Sequence, residues 1–172
     1  REEIDALGLP ERAAGRAQET FRRLAVAEAK IHGVDPDTVH FHEVGAVDAV
    51  GEVVGVALAL ESLAIDRVVC SPLPLGRGFV DAAHGRLPLP APAAVELLRG
   101  APVRGVELDG ELVTPTGAAL VAALADAFGP LPAMTLAGAG YGAGTRDLQE
   151  LPNVVRVLIG TDATAGAVSL IE

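Results

Sequence analysis

The sequence predicts an α+β protein of mixed α/β layers, with helices packed on a small mixed sheet in one compact domain, residues 1–172. Helical and strand-like segments are mixed along the chain but do not alternate in a strict βαβ rhythm. Half of the residues are hydrophobic and only 3% are aromatic, so Ala, Val and Leu must build the core. A chain of this length buries roughly 70% of the surface that its unfolded form exposes.

The first long helix is predicted over Glu11–His32. Its apolar residues Ala13, Ala17 and Phe21 recur at i, i+4 and i+8, and Gly33 supplies a stop. The turn that follows, residues 34–37, leads into His40.

A second helix is predicted over residues 46–63 (AVDAVGEVVGVALALESL), which are apolar except for Asp48, Glu52, Glu61 and Ser62. A strand at residues 66–71 follows. Proline and glycine then dominate residues 72–92, which favours extended backbone over helix.

The second half begins with a short helix, residues 92–99, and a strand, residues 103–108. Thr114 is a natural N-cap with Pro115 at the first helical position, which predicts a helix running to Phe128. The remaining predicted elements are a strand at residues 134–137, a glycine-rich run at residues 138–144 and a final strand at residues 153–159.

The charge balance bears on the partners of the chain. A net charge of −10 argues against nucleic acid, whose phosphates would be repelled, and favours cations. The single cysteine, Cys70, excludes an internal disulfide and fits a cytoplasmic protein, where it is read as a buried strand residue. We expect no membrane span, because the longest apolar run is too short.

The strongest chemical pattern is the segment His40-Phe41-His42-Glu43, followed at a short distance by Asp48. In an extended segment His40 and His42 point to one face, where two imidazoles can share one ion. Imidazole and carboxylate suit Ni, Mn and Zn alike. The alternative is a pair of surface histidines near a turn.

Asp48 and Glu52 are spaced i, i+4 and therefore share one face of the second helix, close to Gly51 and Gly55. In a mostly apolar helix such carboxylates are expected to be buried, and a buried carboxylate requires a cation or a metal. The alternative is a first-turn acid favoured by the helix dipole at Asp48, with Glu52 pointing to solvent.

Two further segments are candidate phosphate sites. The helix start at Thr114, Thr116 and Gly117 offers free N–H groups, although capping alone explains it. The glycine run has the flexibility to wrap a phosphate with Arg146 as counter-ion, or else it is a glycine-rich hairpin. Its candidate binding residues are Gly142, Gly144, Thr145 and Arg146, and His84 is a further candidate metal ligand or a loop histidine.

Taken together, several motifs resemble the LarC family, the nickel-insertion proteins of the nickel-pincer nucleotide pathway. The resemblance covers about residues 34–160. It rests on His40-Phe41-His42-Glu43-Val44-Gly45-Ala46-Val47-Asp48, Ser71-Pro72-Leu73-Pro74-Leu75-Gly76, Ala83-His84-Gly85, Pro88-Leu89-Pro90-Ala91-Pro92-Ala93, Glu111-Leu112-Val113-Thr114-Pro115-Thr116-Gly117 and Gly140-Tyr141-Gly142-Ala143-Gly144-Thr145-Arg146-Asp147.

The resemblance implies a cytoplasmic nickel chelatase, or cyclometallase, of the lyase class. Such an enzyme inserts Ni²⁺ into pyridinium-3,5-bisthiocarboxylic acid mononucleotide, depends on CTP with Mn²⁺ or Mg²⁺, and supplies the cofactor of lactate racemase. We expect the ligands to be drawn from His40, His42, Glu43, Asp48, Glu52 and His84, with Glu43 and Asp48 as proton acceptors.

The chain also departs from the family pattern. It lacks the family's usual N-terminal segment and the C-terminal domain associated with CTP, so we expect a fragment of a longer protein. Glu52 stands where many relatives carry Asp. A non-catalytic metal-binding or scaffold domain and a metal-dependent nucleotide phosphohydrolase remain alternatives, and a homo-oligomer is left open.

Overall fold

The computed structural model describes residues 2–39, 46–82, 85–148, 152–162 and 166–171. Helices and strands both contribute, and the predicted α+β class is confirmed. The elements are, in chain order, α1 (Glu2–Asp5), α2 (Glu11–His32), a 3₁₀ turn (Pro36–Thr38), α3 (Ala46–Ser62), β1 (Arg67–Cys70), β2 (Leu73–Arg77), β3 (Phe79–Ala82), β4 (Gly85–Pro88), α4 (Pro92–Leu97), β5 (Val103–Asp109), α5 (Pro115–Leu124), β6 (Ala127–Phe128), β7 (Thr135–Ala143), β8 (Val154–Asp162) and β9 (Gly166–Ile171).

The chain divides into two compact units. The first comprises Arg1–Leu63 and Pro74–Leu124 and holds the helices α1 to α5. The second comprises Ala64–Leu73 and Ala125–Glu172 and holds the larger sheet. Among the described helices none is long and apolar enough to cross a membrane.

Helix α2 is the longest element of the first unit and has the bounds that the sequence predicts. Ala13, Ala17 and Leu24 are completely buried. Gly33 ends the helix in the left-handed region, at φ 67°, and its N–H donates to the carbonyl of Ala29. Glycine adopts this conformation without the steric penalty that a side chain would bring.

Small side chains let the helices of the first unit approach closely. One core cluster contains Ala13 and Ala17 of α2 with Val53 and Ala57 of α3. A second cluster joins Leu24 of α2 to Ala49 of α3 and Ala119 of α5. The low aromatic content predicted such a core, and burial of these apolar groups provides its stability.

The proline-rich passage forms short strands, as its composition predicts. Strand β2 pairs with β5, and β3 pairs antiparallel with β4. Gly76 of β2 is buried where the chain of Gly110 passes close by.

The second unit is a five-stranded sheet of order β6-β1-β9-β8-β7. Strand β1 is parallel to β6 and β9, whereas β8 is antiparallel to β9 and β7, so the sheet is mixed. Val69, Leu158, Val168 and Leu170 form its buried apolar cluster.

Two predicted boundaries in the second half of the chain are wrong, and one strand was missed. Helix α5 ends at Leu124 rather than Phe128, since Ala127 and Phe128 form β6 beside β1. The strand predicted at residues 134–137 continues through the glycine run to Ala143. Strand β9 was not predicted. In each case pairing with another strand, β1 for β6 and β8 for β7 and β9, overrides the local pattern.

Candidate metal centre

A hydrogen-bonded turn and a packed helix flank the predicted metal-binding segment in the sequence. After Gly33, the side chain of Asp35 accepts a hydrogen bond from the Asp37 N–H at 2.9 Å, and the 3₁₀ turn follows. Helix α3 begins at Ala46 and is anchored by buried Ala49 against Leu24 of α2. Both flanks of the segment therefore belong to the same packed unit.

Most of the predicted ligands lie outside the described residues. His40, His42 and Glu43 precede α3, and His84 falls between β3 and β4; none of these four is described. Asp48 and Glu52 are described. Within the described ranges no three His, Cys, Asp or Glu side chains converge on a common point.

Asp48 and Glu52 share one face of α3, as predicted, but their predicted burial is wrong. Both residues are exposed, whereas Ala49 and Val53 occupy the buried face. Only one side of this mostly apolar helix packs against the core, and the two carboxylates lie on another side, where they contact solvent. Asp48 lies in the first turn, where the helix dipole favours an acid.

The surface beside these carboxylates is open. A side-chain carbon added at Gly51 or Gly55 would have no atom of the described residues within 4 Å. Together Asp48, Gly51, Glu52 and Gly55 form a strip, here called the α3 strip, that carries two anionic groups and little bulk. Carboxylate oxygens in such a position are accessible to a hydrated divalent cation.

One acid and histidine pair near this region was missed by the sequence reasoning. Glu28 is only 7% exposed, and its Oε2 lies 3.5 Å from Nε2 of His32 in the last turns of α2. Their i, i+4 spacing on a helix was the available sequence indication. The pair lies just before the turn that leads to residue 40.

The predicted cap of α5 is confirmed. Thr114 Oγ1 accepts the N–H of Gly117 at 3.1 Å, and the Ala118 N–H donates to the Thr114 carbonyl at 2.8 Å. Thr116 is buried. The hydroxyl of Thr114 is thus engaged in capping, which is the alternative explanation of this motif.

The glycine run does not form a loop around an anion. Gly138, Gly140 and Gly142 lie within β7 and face Ile159, Val157 and Val155 of β8 in antiparallel register. Residues 138–143 therefore form a strand rather than a flexible loop, while phosphate binding by Gly142, Gly144, Thr145 and Arg146 stays a prediction. The hairpin alternative, in which glycines belong to paired strands, agrees with the structure.

Beyond β7 the chain bends through Thr145 and Arg146, both exposed. The Asn153 side-chain amide donates to the Arg146 carbonyl at 3.1 Å, which fixes this bend against the start of β8. A carbon added to Gly144 would collide with the Asn153 side chain. Arg146 remains the cationic candidate for an anion at this end of the ribbon.

Cys70 is buried in β1, as predicted. Burial raises the pKa of its thiol to about 11, so it is neutral at physiological pH. Its Sγ donates to the Ser71 carbonyl at 3.3 Å. Because a thiolate is the form that binds metals, this cysteine is a packing residue.

Comparison with known proteins agrees with the resemblance. The nickel insertion protein family model matches residues 1–172. A Geobacter metallireducens protein named for nickel insertion is 59% identical over 157 residues, 91% of this chain and 40% of that protein. A similarly named Citrifermentans bemidjiense protein is 56% identical over 162 residues, 94% of this chain and 42% of that protein.

The chain thus spans about two fifths of the length of the curated relatives that it matches. No solved structure matches it significantly. The match along the whole chain and the identity to these relatives show the family directly. This chain belongs to the nickel insertion protein family.

Proposed function

We propose that this chain carries the nickel-handling part of a protein that inserts Ni²⁺ into pyridinium-3,5-bisthiocarboxylic acid mononucleotide, making the nickel-pincer cofactor of lactate racemase. Family membership supports the reaction class. The observation that carries the proposal is the position of α3. It begins three residues after Glu43 and holds Asp48 and Glu52 at an open surface.

Nickel is the substrate in this proposal. His40 and His42 supply imidazole nitrogens, while Glu43 and Asp48 supply carboxylate oxygens, a donor set that suits a first-row divalent ion. Glu52 and His84 are the remaining candidate ligands. Because the α3 strip is exposed, an organic acceptor could reach an ion bound there directly, and no cavity would have to open.

The carboxylates have a second role in the proposed reaction. Formation of the Ni–C bond replaces a proton on the pyridinium carbon, and that proton must be accepted by a nearby base. Asp48, exposed in the first turn of α3, and Glu43 are the groups assigned to this step.

Phosphate recognition is assigned to Arg146 and its neighbours Gly142, Gly144 and Thr145. The guanidinium group binds phosphate through charge-assisted hydrogen bonds, and the Asn153 contact holds the backbone at this position. Thr114, Thr116 and Gly117 form a second candidate anion seat at the start of α5, where the peptide N–H of Thr116 would supplement the capped turn.

Neither candidate phosphate site has the shape of a glycine-rich nucleotide-binding loop. The glycine run is a strand and Thr114 serves as a cap, so neither forms a nucleotide loop. We assign CTP to a part of the protein outside these two segments. A cytoplasmic location accords with the reduced, buried Cys70.

Calorimetric titration of the purified chain with Ni²⁺ tests the proposed ligands. Loss of an outer-sphere partner typically costs about 10–100-fold in metal affinity, so His40→Ala and His42→Ala should each cost at least about 100-fold. His32→Ala is the matched control, because it removes a helix histidine that is not a proposed ligand. Unchanged affinity in His40→Ala and His42→Ala would remove both residues from the site.

The proposed carboxylates are tested separately in the intact protein. Asp48→Asn should reduce both nickel affinity and the rate of cofactor formation, and Glu52→Gln should reduce nickel affinity alone. Glu107→Gln, at a carboxylate that is also exposed, is the control. Activity in Asp48→Asn equal to that of the parent protein would contradict the assigned proton transfer.

A metal-binding or scaffold domain without catalytic function is the second candidate. It is favoured by the open position of Asp48 and Glu52 on the surface of α3. Under this alternative Asp48→Asn weakens nickel binding but leaves the rate at saturating nickel unchanged. The rate at saturating nickel therefore distinguishes the two candidates.

A further inference from the structure

Strand β7 leaves a long edge of the five-stranded sheet unpaired within the described part of the chain. The sheet order places β6 at one edge and β7 at the other. Strand β6 has two residues, whereas β7 has nine, all of them exposed. An exposed edge of this length presents a row of backbone donors and acceptors to a partner strand.

This edge carries few of the features by which proteins prevent strand addition. The chain has 23 acidic and 13 basic residues, yet β7 contains no charged residue and no proline. Its one irregularity is a register shift between Leu136 and Gly138. Two large apolar side chains are also uncovered, since Leu136 is 59% and Tyr141 is 68% exposed.

The hydrogen bonding at the end of β7 indicates which backbone groups point outward. The Gly144 N–H donates to the Asn153 carbonyl of the neighbouring strand at 2.9 Å. Because an antiparallel ladder alternates, Gly142 and Gly140 also face β8. Ala139, Tyr141 and Ala143 then direct their N–H and C=O groups away from the sheet.

We propose that two copies of this chain pair through β7, antiparallel about a twofold axis at Gly140. In this register Gly140 lies opposite Gly140 of the partner subunit as a non-hydrogen-bonded pair. Ala139 exchanges both backbone hydrogen bonds with the partner's Tyr141. The outward groups of β7 are therefore those that the pairing uses, and no bond to β8 is lost.

Shape and charge both fit a second copy. Each Tyr141 lies beside the small Ala139 of the other subunit, and Gly138 lies beside Gly142. A carbon added at any of the three glycines would meet no atom of the described residues within 4 Å, so the face of β7 that these glycines share is uncovered there. Although each copy has a net charge of −10, no like charges are opposed along this seam.

A twofold pairing is closed, because each copy uses its edge on the other and no further strand can be added. The pairing does not depend on the proposed nickel chemistry. A strand from an unrelated protein is the competing occupant, and it would leave the purified chain monomeric.

Sedimentation equilibrium of the purified chain tests the pairing. We expect twice the chain mass of 17.5 kDa. Ala139→Pro removes an outward N–H but no bond to β8, and it should give a monomer whose circular dichroism matches that of the parent. A parent chain that is monomeric up to high micromolar concentration, or a folded Ala139→Pro dimer, would overturn the proposal.

Cysteine cross-linking tests the register without depending on a disruptive variant. Gly140→Cys should form a covalent dimer on mild oxidation, because Cα atoms of a non-hydrogen-bonded pair lie about 4.5 Å apart, within disulfide range. Leu136→Cys, equally exposed on the same strand, is the matched control. In the proposed register its two copies are about 27 Å apart, so they should not cross-link. Equal cross-linking of both variants, or none in Gly140→Cys, would overturn the pairing.

Discussion

Gly76 in β2 and Gly140 in β7 are both strand glycines, yet their surroundings differ completely. A carbon added at Gly76 would collide with the Gly110 carbonyl oxygen and lie 3.0 Å from that of Leu108. At Gly140 the same carbon would have no atom within 4 Å. The fold itself requires the first glycine, whereas nothing within the described structure requires the second.

The same contrast separates Gly160 from Gly51. Gly160 is packed against the backbone of Thr135, while a carbon added at Gly51 on the α3 strip would meet no described atom within 4 Å. A glycine inside a strand often marks the close approach of another backbone or a ligand. We infer that the open glycines of β7 and of the α3 strip serve contacts with something outside the chain: a second copy at β7 and the nickel acceptor at α3.

The largest expected effect is at Gly76. Gly76→Ala should destabilise the chain by about 3 kcal/mol, since backbone oxygens cannot move aside as a side chain could. Urea unfolding measures the change. Gly105→Ala is the matched control in the paired strand β5, because its added carbon meets nothing within 4 Å. Equal losses in both variants would break the distinction between packed and open glycines.

A smaller loss is expected at Gly160 in β8. A carbon there would lie 2.5 Å from the Thr135 carbonyl oxygen and 2.9 Å from Met134 Sδ. Because the methionine can move, Gly160→Ala should cost about 2 kcal/mol in the free energy of unfolding. At a protein concentration low enough to keep the chain monomeric, Gly142→Ala in the facing strand should change stability by less than about 0.5 kcal/mol. A larger loss at Gly142 in the monomer would contradict the distinction between packed and open glycines.

At Gly144 the obstacle is a side chain, so the effect should be smaller again. Gly144→Ala displaces Asn153, whose amide donates to the Arg146 carbonyl. Loss of that one exposed hydrogen bond should cost about 1 kcal/mol in thermal or urea unfolding. The double variant with Asn153→Ala should show no additional loss, and an additive loss would place the strain elsewhere.

The smallest stability change should have the opposite sign. Gly51→Ala replaces an open helix glycine and should stabilise the chain by about 0.5 kcal/mol in urea unfolding. We also expect it to slow nickel insertion in the intact protein by crowding the α3 strip. Gly15→Ala in α2, likewise open, is the control for helix propensity. Equal insertion rates in both variants would show that the α3 strip has no role in nickel transfer.

Local sequence patterns predicted the elements whose limits depend on local chemistry. Helix α2 ends where expected because Gly33 adopts φ 67° at its C-terminus. The cap at Thr114 was predicted for the same reason, since a hydroxyl three residues before Gly117 can accept its N–H.

Distant pairing decided the elements that were missed. Asp126 lies between the end of α5 at Leu124 and the start of β6 at Ala127. Its Oδ2 accepts the Val68 N–H at 2.8 Å, and its own N–H donates to the Val68 carbonyl at 2.9 Å. These contacts with β1 turn Ala127 and Phe128 into a strand. No local pattern reveals such a partner 58 residues away.

The candidate site was predicted in part for the same reason. The shared helix face of Asp48 and Glu52 follows from their spacing alone. Their exposure does not, because it depends on which side of an almost wholly apolar helix meets α2 and α5. Ala49, Val53 and Ala57 are buried in the core, whereas the two carboxylates are exposed to solvent.

Nickel-edge anomalous diffraction from nickel-soaked crystals of the intact protein tests the proposed metal centre most directly. We predict one strong peak at about 2.0–2.2 Å from nitrogens of His40 and His42, using the zinc range as a guide. A carboxylate oxygen of Asp48 or Glu43 should complete the ligand set. Nickel bound without either histidine, or away from the α3 strip, would contradict the proposal.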